Sequence, residues 1–262
     1  MNLNLTNKTA IVCGSTQGIG KATAIELAQL GANVTLMARN AEKLKEVLTE
    51  LPKKRGQKHS FIVADFANPK QVKQRIEKYL QKNPEVHILI NNTGGPSGGP
   101  IIEAQTEQFE AVFQQHLVCN QILAQACVPS MQNAGFGRIV NIISVSVKQP
   151  IVGLGVSNTI RWAVASWAKT LSLELGKFGI TVNNVLPGYT LTGRLQFVNE
   201  MRANTLGISI EEVENQLIKD IPVGRFATPE EVAAAAVFLC TPAAASINGI
   251  NLPVDGGRSG SL

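Results

Sequence analysis

The sequence predicts a single α/β domain of Rossmann type: a doubly wound parallel sheet of about seven strands with helices on both faces. Three observations carry that prediction. Short apolar runs alternate with amphipathic segments along nearly the whole chain. The runs are continuously apolar rather than alternating apolar and polar, which suits parallel strands buried on both sides. A glycine-rich turn, CGSTQGIG (Cys13–Gly20), stands between the first run and the first amphipathic segment.

In chain order, strands are expected at TAIVC (9–13), NVTLM (33–37), SFIVA (60–64), VHILI (86–90), RIVNII (138–143), ITVNNV (180–185) and INLPV (250–254). Apolar residues at helical spacing place helices over 18–30, 41–51, 69–82, 106–132, 155–177 and 229–240. The stretch 193–222 is long for a connection between sheet elements, and such segments commonly cover active sites. It is expected to be a substrate lid within one domain spanning 1–262, with Phe197, Met201 and Leu206 as an apolar wall.

Composition excludes several classes. With 44% hydrophobic and 16% charged residues in 262, the chain suits a packed core rather than a disordered polymer. The net charge of +5 is modest, and its one local concentration, KKRGQKH (Lys53–His59), lacks interleaved aromatics; it reads as a solvated turn, not a nucleic-acid site. Cys13, Cys119, Cys127 and Cys240 have neither metal-ligand nor disulfide spacing, so no metal is expected. The N-terminus lacks the pattern of a secretory signal, and no apolar run approaches the ~20 residues of a membrane span. A cytoplasmic protein is the expectation.

Function should lie beyond the carboxyl ends of the strands, where open α/β sheets bind their ligands. In the first turn, Gly14, Gly18 and Gly20, with Ser15, Gln17 and Ile19 between them, let the backbone approach a diphosphate at a helix N-terminus. The second strand ends in LMARN, without the acidic residue that would take ribose hydroxyls. Arg39 instead offers a guanidinium to a 2′-phosphate, which favours NADP(H) over NAD(H).

The segments VADF (Val63–Phe66), ILINNTGG (Ile88–Gly95), GRIVNIIS, GITVNNVLPGYTLT, IPVGRFATPEEVA and NGINLPVDGG resemble, in order and spacing, the short-chain dehydrogenase/reductase family. Within it, the chain resembles the 3-oxoacyl-thioester reductase-like branch. The resemblance implies Asp65 and Phe66 by the adenine, Asn91 by the adenosine ribose, and Gly94 among the cofactor-binding residues. It also implies Pro187, Gly188, Thr190 and Thr192 around nicotinamide and diphosphate. The family's serine falls on Ser144, but its tyrosine position falls on Ser157, its lysine position on Arg161 and its asparagine position on His116. No Tyr-x-x-x-Lys exists elsewhere: the two tyrosines, Tyr79 and Tyr189, lack a lysine four places on.

A serine hydroxyl is a far weaker acid than a phenol, whereas Arg161 can still hydrogen-bond a ribose but stays charged. The resemblance therefore implies an NADP(H)-dependent oxidoreductase, interconverting a carbonyl and an alcohol on a moderately apolar small molecule. Its proton relay would be altered, with Ser144 polarising the oxygen and His116 or Tyr189 as substitute donors. The alternative is a catalytically silent nucleotide-binding homologue, acting as a sensor or an inactive subunit. Trp162 and Trp167 read as packing or interface residues, and the family's helical contacts imply a homodimer or homotetramer.

Overall fold

Continuous apolar runs can be buried on both faces only if helices cover both, and the computed structural model, which describes residues 1–261, shows that arrangement. Seven strands form one parallel sheet: β1 (Thr9–Cys13), β2 (Asn33–Ala38), β3 (Ser60–Val63), β4 (Ile88–Asn91), β5 (Gly137–Ile142), β6 (Ile180–Pro187) and β7 (Asn251–Val254). Their spatial order is β3-β2-β1-β4-β5-β6-β7, so the chain reverses direction across the sheet between β1 and β4.

Residues of alternate parity feed two cores. Val12, Ile90, Val140 and Val185 pack with Ala24 and Leu27 of α1 (Gly18–Gln29), Leu44 of α2 (Ala41–Glu50) and Val232 of α9 (Pro229–Cys240). Ile11, Leu89, Ile139 and Val182 pack on the other face, with Ile76 of α3 (Pro69–Leu80), Leu123 of α5 (Cys119–Asn133) and Ala168 of α6 (Gly155–Leu175). All four cysteines are free and buried. Burial pushes the thiols of Cys119, Cys127 and Cys240 up to about 12, so they behave as small apolar side chains.

The second face also carries a polar line that hydrophobic patterning does not announce. Asn91, Asn141, Asn184 and Asn251 stand opposite one another on β4, β5, β6 and β7. Each side chain donates to the next at 2.8 Å: Asn91 to Asn141, Asn141 to Asn184, Asn184 to Asn251. Such a run fits a buried sheet because each amide is both donor and acceptor.

Two expected features differ. The helix expected over 106–132 is divided into α4 (Thr106–Phe113), a π-helical turn (Gln114–Val118) and α5. An inserted π turn shifts the helical phase, which a periodicity count over the whole stretch averages away. The stretch 193–222 contains two helices, α7 (Gly193–Leu206) and α8 (Ile210–Lys219). Thr192 caps α7 through Leu195 N–H, Gly207 ends it in the left-handed region at φ 66°, and a Ser209–Glu212 capping box opens α8. None of the helices is long and apolar enough to cross a membrane, among the described residues.

Candidate active site

A cavity of about 620 Å³ opens at the carboxyl ends of the strands, around the reversal in strand order. Gly14, Gln17, Gly18 and Ile19 line one wall, and Arg39, Asp65 and Phe66 continue it past β2 and β3. Gly94 lines the segment after β4. Ser144, Ser157 and Arg161 line the segment after β5 and the start of α6, and Pro187, Gly188, Thr190 and Thr192 the segment after β6. Residues from six separate stretches therefore meet in one space.

The glycine turn is built for close approach. Gly14 and Gly18 have φ of +58° and +53°, where a side chain is strained. A Cβ on Gly14 would stand 2.5 Å from the Asn92 carbonyl oxygen, and one on Gly20 would stand 2.2 Å from that of Gly14. Gly20 is thus spent on seating α1 against the turn and does not line the cavity. Ser15 is also withdrawn: it is fully buried, and its Oγ accepts from the Met37 amide at 3.0 Å, tying the turn to β2.

Asn91 departs from expectation in the same way. Its side chain lies in the buried amide line, while the next residue, Asn92, lines the cavity and donates to the carbonyls of Cys13 and Gly14 at 3.3 and 3.2 Å. Asn92 therefore bridges β4 to the glycine turn across the strand reversal. The doubled asparagine was the signal; strand parity decided which of the two faces the cavity.

Around Ser144 the polar groups are arranged as donors. Ser144 Oγ accepts from the Ser146 amide at 3.1 Å, which leaves its hydroxyl proton free to point elsewhere. Ser157 Oγ accepts from Arg161 Nε at 3.3 Å, with the same consequence. Arg161 is buried, and its Nη1 donates to the carbonyls of Ile142 and Ile143 at 3.2 and 2.9 Å. Desolvation, reinforced by the nearby Arg194 cation, lowers its pKa to about 10, which still leaves it charged at neutral pH.

His116 sits in the π-helical turn, buried and outside the cavity lining. Its Nδ1 pairs with Thr93 Oγ1 at 2.7 Å and its Nε2 has no hydrogen-bond partner. Desolvation, then the Arg161 charge, lowers its pKa to about 3, with the Gly94 carbonyl pulling weakly the other way. It is therefore a neutral imidazole near pH 7 and lies outside the cavity lining, whereas a substitute proton donor was expected there. Tyr189 lines the cavity as a wall, edge-on to Phe226 and with the Arg258 guanidinium 4.6 Å from its ring centroid.

The wall supplied by α7 differs most from expectation. Phe197, Met201 and Leu206 are exposed and do not line the cavity. Arg194, Leu195, Val198 and Arg202 do. Those positions share one helical face, so the helix turns arginines inward where an apolar stripe was read.

The cavity fits a dinucleotide on its own geometry. A glycine cradle that any Cβ would fill meets the segment after β6, with a Cβ on Gly18 only 3.1 Å from Thr192 Cγ2. Exposed Arg39 at the rim makes no ion pair among the described residues.

Comparison with known proteins gives a consistent picture. A family model described as enoyl-(acyl carrier protein) reductase matches residues 14–259. The chain is 32% identical over 259 residues to 3-oxoacyl-(acyl-carrier-protein) reductase FabG of Chlamydia muridarum, covering 99% of this chain and 100% of that one. Among solved structures, L-sorbose reductase from Gluconobacter frateurii, complexed with NADPH and L-sorbose, is 31% identical, with a TM-score of 0.93 and full coverage of both chains at 100%. An actinorhodin polyketide ketoreductase variant with NADPH is also 31% identical, with a TM-score of 0.88 over 97% of each chain.

Proposed function

Because this chain belongs to the short-chain dehydrogenase/reductase family, we propose that it is an NADP(H)-dependent oxidoreductase that interconverts a carbonyl and an alcohol through a serine–arginine pair in place of tyrosine and lysine. The observation that carries this reading is the contact between Ser157 and Arg161, in the same cavity as Ser144.

The glycine turn and Thr192 would hold the diphosphate and Arg39 the 2′-phosphate of a bound NADP(H), whose nicotinamide would supply or accept the hydride. The NADPH-bound structures of related reductases support this assignment, and Arg39 supports the preference over NAD(H). Ser144, its acceptor side engaged by the Ser146 amide, donates its hydroxyl proton to the substrate oxygen. Ser157 donates from a second direction. The guanidinium against its oxygen favours the deprotonated form and so increases its acidity. In reduction, Ser157 passes its proton to the oxygen as negative charge develops there, and water at the cavity mouth restores it. Hydride and proton together convert the carbonyl to an alcohol. The step is slower than with a phenol, because a positioned acid of matched pKa contributes about 10²–10⁴ in rate.

Phe113, Trp162 and Leu173 are exposed on α4 and α6, and this face supports a homo-oligomer, which sedimentation would test. The activity is tested by following NADPH oxidation with a panel of oxo compounds, in the parent, in Ser144→Ala and in Ser157→Tyr/Arg161→Lys. Slow turnover in the parent, lost in Ser144→Ala and raised at least about tenfold in the double variant, is the expected result. Parent protein that binds NADPH and turns over nothing would give the reading to a silent nucleotide-binding homologue.

A further inference from the structure

The cavity is asymmetric in charge. It is lined by Arg161, Arg194, Arg202 and Arg258, none of which forms an ion pair among the described residues. The single carboxylate in the lining is Asp65, which stands at the end of β3, the sheet's edge strand, and accepts from the Ala67 amide. Nearby Asp255 is engaged by the amides of Gly257 and Ser259 at 3.0 and 2.9 Å. Asp255 also feels the Arg258 charge, which leaves Arg161, Arg194 and Arg202 facing the space without a carboxylate partner among the described residues.

Two of them converge on one spot. The position that a Cβ on Gly95 would occupy lies 3.6 Å from Arg161 Nη2, and 3.7 and 3.8 Å from Arg194 Nε and Nη2. Arg161 Nη2 and Arg194 Nε make no hydrogen bond there: Arg161 spends Nη1 on carbonyls and Nε on Ser157, and Arg194 spends one Nη2 hydrogen on the Pro96 carbonyl. Arg161 is only 9% exposed. Two cations brought together, one of them buried, repel each other, and the arrangement is relieved by an anion placed between them. This spot lies in the segment after β4, beside the guanidinium that contacts Ser157, whereas a cofactor diphosphate belongs where the glycine turn meets Thr192.

We propose that the oxo substrate of this protein carries an oxyanion, a carboxylate or a phosphate, that seats between Nη2 of Arg161 and the facing edge of Arg194. The inference rests on the reduction assigned above and names its substrate class. A guanidinium fork matches the two oxygens of either group. Seating the anion beside Ser157 sets the carbonyl toward Ser144. Arg202 and Arg258, at 6.0 and 4.6 Å from the Tyr189 ring centroid, add to the positive field of the cavity and draw anions in.

The test is a binding measurement independent of turnover. The protein, with and without NADP+, is titrated calorimetrically with short 2-, 3- and 4-oxo acids, with their methyl esters as neutral twins, and with dihydroxyacetone phosphate. At least one acid or the phosphate should bind about tenfold or more tightly than the neutral compounds. Arg194→Leu, and Arg194→Gln should the first fold poorly, should bring that ratio close to one while leaving NADPH affinity unchanged. Preference for the acids alone assigns a carboxylate, and preference for the phosphate ester alone assigns a phosphate. Binding of neither the acids nor the phosphate above the neutral compounds, no binding of any oxo anion at millimolar concentration, or a preference that survives loss of Arg194 would overturn the proposal. NADP+ that fails to bind would refute the cofactor assignment instead, and the titration without it would still decide this one.

Discussion

Replacing Asn141 by leucine tests the buried amide line that joins four strands beneath the site. Asn141 is fully buried, and Asn91 and Asn184 are each 3% exposed. The substitution keeps roughly the same volume but removes one donor and one acceptor together. It strands Asn91 Nδ2, on a residue whose Oδ1 already lacks a partner, and it strands Asn184 Oδ1. Each stranded group costs about 1–3 kcal/mol, and burying the leucine methyls returns about 1–2 kcal/mol. At central values about 4 kcal/mol is lost and about 1.5 returned, so the net loss should be about 2–3 kcal/mol, read as a lower urea midpoint at unchanged slope. Adding Asn91→Leu removes one stranded group and should recover about 1 kcal/mol or more, so the pair should be markedly non-additive. A single variant within about 0.5 kcal/mol of the parent, the level of an ordinary surface substitution, or two losses that simply add, would refute the reasoning.

Other outcomes follow from the same geometry. Arg39→Leu should weaken NADPH binding by about tenfold or more, the worth of a charge-assisted contact, and leave NADH binding unchanged in a nucleotide-fluorescence titration. For His116, with its pKa lowered from 6.5 to about 3, the unfolded chain takes up a proton near 6.5 that the folded chain refuses until about 3. Stability is therefore full above that window and falls as pH drops through it. His116→Gln should flatten that fall by up to about 1.4 kcal/mol per pH unit, while His59 and His87, also lowered chiefly by burial, keep part of the slope. Denaturant midpoints measured between pH 7 and pH 4 would check this, and an unchanged slope would place His116 in contact with solvent.

What the sequence by itself determined was whatever depends on near neighbours. Strand positions came from runs of aliphatic residues, and helix positions from a period set by the backbone. The glycine turn followed from the need for a backbone without Cβ atoms at Gly14 and Gly18. That no Tyr-x-x-x-Lys sequence occurs is likewise legible in one dimension, since it needs only a count of tyrosines. The α7 and α8 helices were legible in part, through the Ser209–Glu212 capping box, but α7 is polar along much of its length and offers no clear apolar stripe.

Only the tertiary structure decided which side chains share a space. Strand register placed Asn91 in the sheet and Asn92 at the cavity, one residue apart and on opposite sides of the pleat. The π-helical turn rotated His116 away from the lining, and burial then removed its charge. The convergence of Arg161 and Arg194 on Gly95 joins residues from three distant stretches, so no local pattern could announce it. Propensity and periodicity act over a few residues, whereas desolvation and charge pairing depend on what the whole fold brings within a few ångströms. For that reason the fold could be read along the chain, and the electrostatics of its cavity could not.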